Sequence, residues 1–540
     1  MSKNHFKNIS KKKAAVIFSI CVICILTRLL FSGGFRATTD HAEYSKAACE
    51  ISEFNLQVPT NHWNGRIGNT FSIALFYFIF GVNEYSAIGA ELLFSVLNIF
   101  LVFLLSQEIF EGDNSFKIGA TASVLLTFVP ISIETGSMLT LVHGQIFFMF
   151  SSIYFLFRGE RQGKPYYYAI SGLCVGIAYL FHETGVFALF IIATHLIAKR
   201  KFDKTIFIIL FASFLVFACE NLIYYFETGT FFHRQIVTLK THLHVEGIDT
   251  ASDLLNINTD SDIMRLKTKF KARKNLFSGT FIGDSWLLEP FRYILMYPAY
   301  SVIYHLFFLI SIFLIIKKDE HVIYLNLLFW TLFLYYSYGS QTPLSYKPLV
   351  RLPRYILPCL IPVCIAVGYG IDRILKQKYL QNMLIIFFIF ISLFCTSIKG
   401  GDIGQKFYQC KFFYKFIKEN PDKQFVTDSV TFIGLEFLSK YQGLSNVRRI
   451  SFRNFIQKVN NTDFLKANRD SYVFINLPET YRHASVNFDA SKYVLIAQYN
   501  RKPRKICLLP GIQNFLKDNL CDLSNGGKIY KIRKPLQDGA

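Results

Sequence analysis

The sequence predicts a polytopic α-helical membrane protein of about eleven transmembrane helices, followed by a soluble α/β domain. Three observations carry this expectation. Of the 540 residues, 52% are apolar and only 18% charged. The mean hydropathy of +0.31 is too high for a soluble protein, in which about a quarter of residues are charged. The apolar residues come in blocks of roughly 15–25, the length that crosses a bilayer. The Lys and Arg residues fall on alternate connections between those blocks. A soluble enzyme, a disordered chain and a disulfide scaffold are excluded.

The eleven apolar stretches are 14–31, 85–105, 118–133, 141–157, 167–181, 184–198, 205–225, 293–316, 322–338, 355–371 and 380–398. Basic residues gather before the first (Lys3, Lys7, Lys11, Lys12, Lys13) and on every second connection thereafter. These are Lys117; Arg158, Arg161 and Lys164; Lys199, Arg200, Lys201 and Lys204; Lys317 and Lys318; Arg373, Lys376 and Lys378. The intervening connections 134–140 and 182–183 carry none. The positive-inside rule then puts the N-terminus in the cytoplasm, and an odd number of spans puts the C-terminus outside. The expected location is the plasma (inner) membrane, multi-pass, with a C-terminal domain that is periplasmic in a Gram-negative cell. Much of the net charge of +21 is therefore topology, and no nucleic-acid partner is expected. The first apolar stretch is too long for a signal peptide and reads as an uncleaved helix.

Two regions follow: a transmembrane region over 1–398, with outer loops 33–67 and 228–290, and an extracytoplasmic soluble domain over 399–540. In the latter, β-rich runs at 425–427, 447–451, 472–477, 493–499 and 505–509 alternate with helical runs at 407–419, 430–441 and 455–467. Over 400–540, Lys and Arg outnumber Asp and Glu 23 to 12, which suits an anionic acceptor, a membrane surface or plain solubility. Seven of the eleven cysteines lie in apolar stretches and read as small buried residues. A Cys507–Cys521 disulfide stays open.

The chemistry concentrates in the first outer loop. The run Thr38-Thr39-Asp40-His41-Ala42-Glu43-Tyr44-Ser45-Lys46-Ala47-Ala48 reads as an interfacial helix with Asp40 at its start, beside the outer leaflet. Asp40 and Glu43 make a good capping box. A carboxylate in this place is also suited to act as general base toward an acceptor hydroxyl or amine. Farther on, Arg66 opens the run 71–80, too short to span, and is placed to grip a phosphate or to snorkel.

The order of these features resembles the GT-C superfamily of polyprenyl-phosphate-sugar-dependent glycosyltransferases, specifically the branch of protein O-mannosyltransferases and the aminoarabinose transferase of lipid A. There an Asp-Glu-x-x-Tyr-x-x-x-Ala pattern follows the first helix. Here Asp40 and Tyr44 match, His41 stands where Glu is expected, and Glu43 is the candidate substitute carboxylate. Arg66 with Phe80-Gly81, the run from Gly172 to Thr184 ending in His182-Glu183, and Arg354-Tyr355-x-x-Pro358 with Pro362 continue the resemblance. It implies an inverting transfer from a polyprenyl-phosphate sugar to an extracytoplasmic lipid, glycan or protein. Asp40, His41 and Glu43 become the catalytic candidates. Arg66, His182, Arg354, Lys347 and Arg351 become donor-phosphate ligands, and Tyr44, Glu183, His143 and Tyr355 line the pocket. No cofactor is certain. Some members use a divalent cation, and with His41 in place of Glu the metal stays open here.

Glu91 and Glu220 lie inside apolar stretches, where carboxylates are costly and often functional. Gln145 joins His143 at the start of the fourth span. His242-x-His244 with His233 is a weak metal motif, because two histidines two apart need strand geometry and a third ligand. Trp286, Phe291, Tyr293 and Tyr297 fit an aromatic belt. The competing functions are a lipid or sugar transporter or flippase, and a surface-polysaccharide polymerase or ligase. The absence of a visible repeat speaks against the first, and the full tail domain against the second.

Overall fold

A computed structural model gives the fold. It describes residues 11–532 apart from 245–287, 340–352, 476–491, 500–527, most of 452–460, short stretches at 32–34, 36–38, 56–57, 200–203 and 400–404, and positions 62, 111, 113, 141 and 469. Every one of the eleven apolar stretches falls on helix. In chain order the helices of this region are α1 (Lys11–Phe31), α2 (Thr39–Ser52), α3 (Ile67–Phe80), α4 (Glu84–Ile109), α5 (Asn114–Phe128), α6 (Pro130–Thr135) and α7 (Val142–Gln162). There follow α8 (Pro165–Phe181), α9 (Ala188–Lys199), α10 (Thr205–Thr228), α11 (His233–His244), α12 (Glu289–Met296), α13 (Ile303–Ile316), α14 (Glu320–Tyr338), α15 (Leu360–Ile374) and α16 (Lys378–Lys399).

Proline breaks two of the expected spans. The stretch 118–133 divides at Val129, because Pro130 cannot donate and disfavours helix before it. The stretch 293–316 is not one helix: it comprises the end of α12, a 3-10 turn at Pro298–Tyr300, and α13. Two further spans open with 3-10 turns, at Glu183–Phe187 and Pro353–Cys359. Five helical segments among the described residues are long and apolar enough to cross a membrane unaided: Lys13–Phe31, Glu84–Ile109, Thr205–Thr228, Pro353–Ile374 and Lys378–Ser397. Apolar side chains on their outer faces, such as Phe207, Phe211 and Phe214 on α10, are exposed, as a lipid-facing surface requires.

Within the bundle, a buried cation joins several helices. Arg28 is completely enclosed. Its Nε donates to Ser95 Oγ (2.5 Å), its Nη2 to Ser132 Oγ (2.8 Å), and its Nη1 to the carbonyls of Cys24 (3.4 Å) and Thr127 (3.3 Å). Thr127 lies in the last turn of α5, where carbonyls lack helical donors and a cation is favoured. Arg28 thereby ties α1 to the proline break.

Small residues bring helices into close contact, as membrane packing favours. Gly172 of α8 faces the Ile209 carbonyl of α10 so closely that a Cβ there would collide with backbone. We expect Gly172→Val to separate α8 from α10 and lower the stability of the purified protein by about 1–3 kcal/mol. Thermal unfolding in detergent checks this, and an unchanged midpoint refutes it.

Past α16 come α17 (Gln405–Glu419), β1 (Phe425–Asp428), α18 (Ser429–Leu438), β2 (Val447–Ile450), α19 (Thr462–Ala467), β3 (Tyr472–Ile475), β4 (Tyr493–Gln498) and β5 (Lys528–Ile532). The sheet order is β2-β1-β3-β5-β4. β1 runs parallel to β2 and β3, whereas β5 is antiparallel to β3 and β4. Apolar side chains cover both faces of the sheet: Val426, Val473 and Tyr530 on one, and Phe413, Phe425 and Phe474 on the other. Four of the expected strands appear. The run 505–509 and the Cys507–Cys521 pair lie outside the described residues, and β5 is a strand that the sequence pattern did not mark. All nine described cysteines are free.

Candidate active site

The site is assembled on α2. This helix starts at Thr39, so Asp40 lies in its first turn and Tyr44 one turn later on the same face. Both oxygens of the Asp40 carboxylate meet side-chain donors: Trp63 Nε1 donates to Oδ1 at 3.1 Å, and Arg354 Nη2 to Oδ2 at 3.2 Å. The Asp40 side chain stays 38% exposed and that of Arg354 25%, so the pair is open to a substrate. Arg354 comes from the turn that leads into α15, whose first carbonyl, that of Pro353, accepts the Tyr300 hydroxyl. Its guanidinium also lies over the Tyr355 ring, 5.3 Å from the centroid.

Trp63 is positioned by a small asparagine-built turn. Asn61 Oδ1 accepts the backbone N–H groups of Trp63 and Asn64 at 3.0 Å, and Asn64 Oδ1 accepts those of Thr60 (3.1 Å) and Asn61 (3.0 Å). Such side-chain acceptors are what make Asn a turn former. Asn61 Nδ2 also donates to Glu43 Oε2 at 3.1 Å.

Arg66 stands where this turn enters α3. Its Nη1 donates to the Tyr44 hydroxyl at 2.5 Å and its Nη2 to Glu183 Oε2 at 3.3 Å. α3 is pinned beside α8 by Asn69 Nδ2, which donates to the Phe181 carbonyl at 2.6 Å. Two residues on, Glu183 opens its 3-10 turn. The turn is tight because Gly185 lies against the Ala178 backbone, leaving no room for a Cβ. The other oxygen of Glu183 takes Arg234 Nη2 at 3.3 Å, and Arg234 Nη1 reaches Glu220 Oε1 at 2.7 Å. Arg234 is 1% exposed and stacks on the Tyr179 ring at 4.6 Å.

The electrostatics follow from this chain. Burial would raise the Glu183 carboxyl, but Arg66, His182 and Arg234 outweigh it and hold the group well below the usual carboxylate range. Burial would likewise discharge Arg66 and Arg234. Their carboxylate partners prevent it, and both are shifted up. Tyr44 is pushed up to about 12 by burial, with Arg66 opposing, so it is a neutral phenol at neutral pH. Because its oxygen accepts from Arg66, its proton is available for a substrate oxygen.

The structure thus brings together Asp40, Tyr44, Arg66, Glu183, Arg354 and Tyr355. Glu43 flanks the group but is engaged by Asn61. His182 stands next to Tyr355, with ring centroids 6.2 Å apart, and its Nδ1 takes the Thr184 N–H (3.2 Å) and faces the Thr184 hydroxyl (2.9 Å). His41 is buried on α2, with its ring edge-on to Phe35. His143 packs among α4, α6 and α7: its Nε2 lies 2.9 Å from Thr135 Oγ1, its carbonyl accepts Asn98 Nδ2, and its N–H donates to Glu91. Gln145 Nε2 donates to Thr184 Oγ1 at 2.7 Å. Lys347 and Arg351 lie outside the described residues. His233 and His244 bound a helix, α11. Among the described residues no three of His, Cys, Asp and Glu come together as metal ligands.

Arg234 and Trp63 are the site residues that sequence reasoning missed. A signal for the first existed: Glu220 in an apolar stretch calls for a cation, and Arg234 lies 14 positions on.

Comparison with known proteins bears on the fold and its class. Residues 67–224 match the family described as dolichyl-phosphate-mannose-protein mannosyltransferase. The fold is similar to that of ArnT from Cupriavidus metallidurans bound to undecaprenyl phosphate, with 11% identity and a TM-score of 0.53 over 97% of this chain and 98% of that one. It is similar also to the Archaeoglobus fulgidus oligosaccharyltransferase tethered with an acceptor peptide, with 12% identity and a TM-score of 0.53 over 87% of this chain and 70% of that one. No curated protein matches the chain.

Proposed function

We propose that this chain, a membrane glycosyltransferase of the GT-C fold, moves a sugar from a polyprenyl-phosphate donor to an extracytoplasmic lipid, glycan or protein, with Asp40 as general base. The observation that carries this reading is the meeting of Asp40 with Arg354, 314 residues away, beside the Tyr44–Arg66 pair one helical turn farther on. Two cations thus meet α2 side chains that lie one turn apart, a pairing that suits a base beside a phosphate site. The mannosyltransferase family match and the undecaprenyl phosphate carried by ArnT in a similar fold support the donor class. The positive-inside pattern supports an extracytoplasmic site, with the N-terminus in the cytoplasm and the region beyond residue 398 outside.

In the proposed step the acceptor oxygen or nitrogen attacks the anomeric carbon from the face opposite the phosphate, and inversion results. Asp40 takes the acceptor proton. The bond from the anomeric carbon to the phosphate oxygen breaks, and its electron pair leaves with the phosphate, which gains a negative charge. Arg66, Arg354 and the Tyr44 hydroxyl face that charge. The Asp40–Arg354 contact couples the two events. As Asp40 becomes neutral, its hold on Arg354 weakens and the guanidinium is freed for the leaving phosphate. Glu183 serves as the half-buried partner that keeps Arg66 charged and oriented.

The test is transfer in proteoliposomes supplied with a panel of polyprenyl-phosphate monosaccharides and a cell-envelope acceptor fraction. Release of polyprenyl phosphate together with labelling of the acceptor is expected. No consumption of any donor, with the protein folded, overturns the reading.

A further inference from the structure

α2 rests partly on the C-terminal segment. Phe35, between α1 and α2, is completely buried. Its ring stacks on Phe437 of α18 with centroids 3.8 Å apart and planes 7° from parallel, and it meets Phe407 of α17 edge-on at 5.4 Å. Phe407 and Phe437 also contact each other, at 5.7 Å. α18 packs directly against α2. The same buried cluster takes in Tyr44, Ala48 and Cys49 of α2, Ile73, Ala74 and Tyr77 of α3 and Cys410 of α17. Ser45 and Tyr77 close it with a hydroxyl contact of 2.5 Å. Outside it, Lys411 Nζ pairs with Glu84 Oε1 at 2.7 Å, anchoring α17 to the start of α4.

A helix of 14 residues is marginal without tertiary support. α2 is short and polar, yet it carries both Asp40 and Tyr44. We infer that the C-terminal α/β segment is a positioning part of the transfer site: Phe407 and Phe437 grip Phe35 and hold α2 at the depth and rotation at which Asp40 meets Arg354 and the acceptor. The inference rests on the reading of Asp40 as base. It assigns the segment a role in catalysis separate from any acceptor it contacts.

The test uses the full chain in proteoliposomes with Phe437→Ala, Phe407→Ala and the milder Phe437→Leu. Misplacement of a reacting group by about 1 Å costs on the order of 100-fold, so kcat should fall by roughly 10-fold or more in the alanine variants. Phe437→Leu should restore most of it, and KM for the donor should change little. Hydrogen exchange should quicken across 39–52 while the β1–β3 pairing stays protected. In an Asp40→Asn background, Phe437→Ala should cause little further loss. Wild-type kcat with unchanged exchange over α2 overturns the inference, as does a loss of sheet protection in Phe437→Leu matching the loss of activity. Full activity of Asp40→Asn alone, with Phe437→Ala still slow and α2 loosened, instead overturns the reading of the base and leaves the positioning role standing.

Discussion

Asp40→Asn is expected to lower kcat by about 10²–10⁴-fold, the usual contribution of a positioned general base, while donor binding changes little. The amide keeps the shape of the carboxyl and can still accept from Trp63 Nε1 or Arg354 Nη2. It cannot take the acceptor proton. Nor does stability explain such a loss, because the Asp40–Arg354 pair is partly exposed and pairs of that kind contribute about 0–1 kcal/mol. The measurement is single-turnover transfer with saturating donor, beside equilibrium donor binding. Transfer at the wild-type rate removes Asp40 from the mechanism. Glu43→Gln is the internal control: Glu43 lies one turn from Asp40's end of the helix and is engaged by Asn61, so its loss should be much the smaller.

The second large effect belongs to Arg66. Arg66→Gln should cut kcat/KM by about 10²–10³-fold, the scale seen when one preorganised donor to a developing charge is removed. Two losses combine. The phosphate loses a cation, and the Tyr44 hydroxyl loses the group that orients its proton. Arg66→Lys should recover only part of this. An ammonium is a point charge, whereas the guanidinium spans Tyr44 and Glu183 with two separate nitrogens. Glu183 remains held by Arg234 in either variant, so the protein should stay folded and the loss should appear in transfer. Equal activity of the Arg, Lys and Gln forms would show that Arg66 is not a phosphate ligand.

Much of the membrane region is legible in the sequence because burial in lipid imposes one rule everywhere: backbone polar groups must be satisfied within the helix. Hence each apolar stretch from 14–31 to 380–398 coincides with helix. The exceptions are local. Pro130 and Pro298 interrupt stretches whose hydropathy is continuous, since hydropathy does not register a missing N–H. The sheet is less legible. β5 at Lys528–Ile532 is a short strand between β3 and β4, and such a strand is stabilised chiefly by cross-strand neighbours distant in sequence.

For the site the division is sharper. Asp40, Tyr44, Arg66, Glu183 and Arg354 stand out as sequence positions because a charge at the edge of an apolar run needs a reason. Their pairing does not. That Asp40 meets Arg354, that Glu183 is shared by two arginines, and that Arg234 answers the carboxylate of Glu220 all depend on which ends of α2, α3, α8, α10 and α11 come together. The sequence by itself determined the helices, the order of the motifs and which residues carry charge, because hydropathy and chain order are local properties. Only the tertiary structure decided which charge neutralises which, and that Phe407 and Phe437 pack on Phe35 beside α2, because Coulomb attraction and packing act across space without regard to separation along the chain.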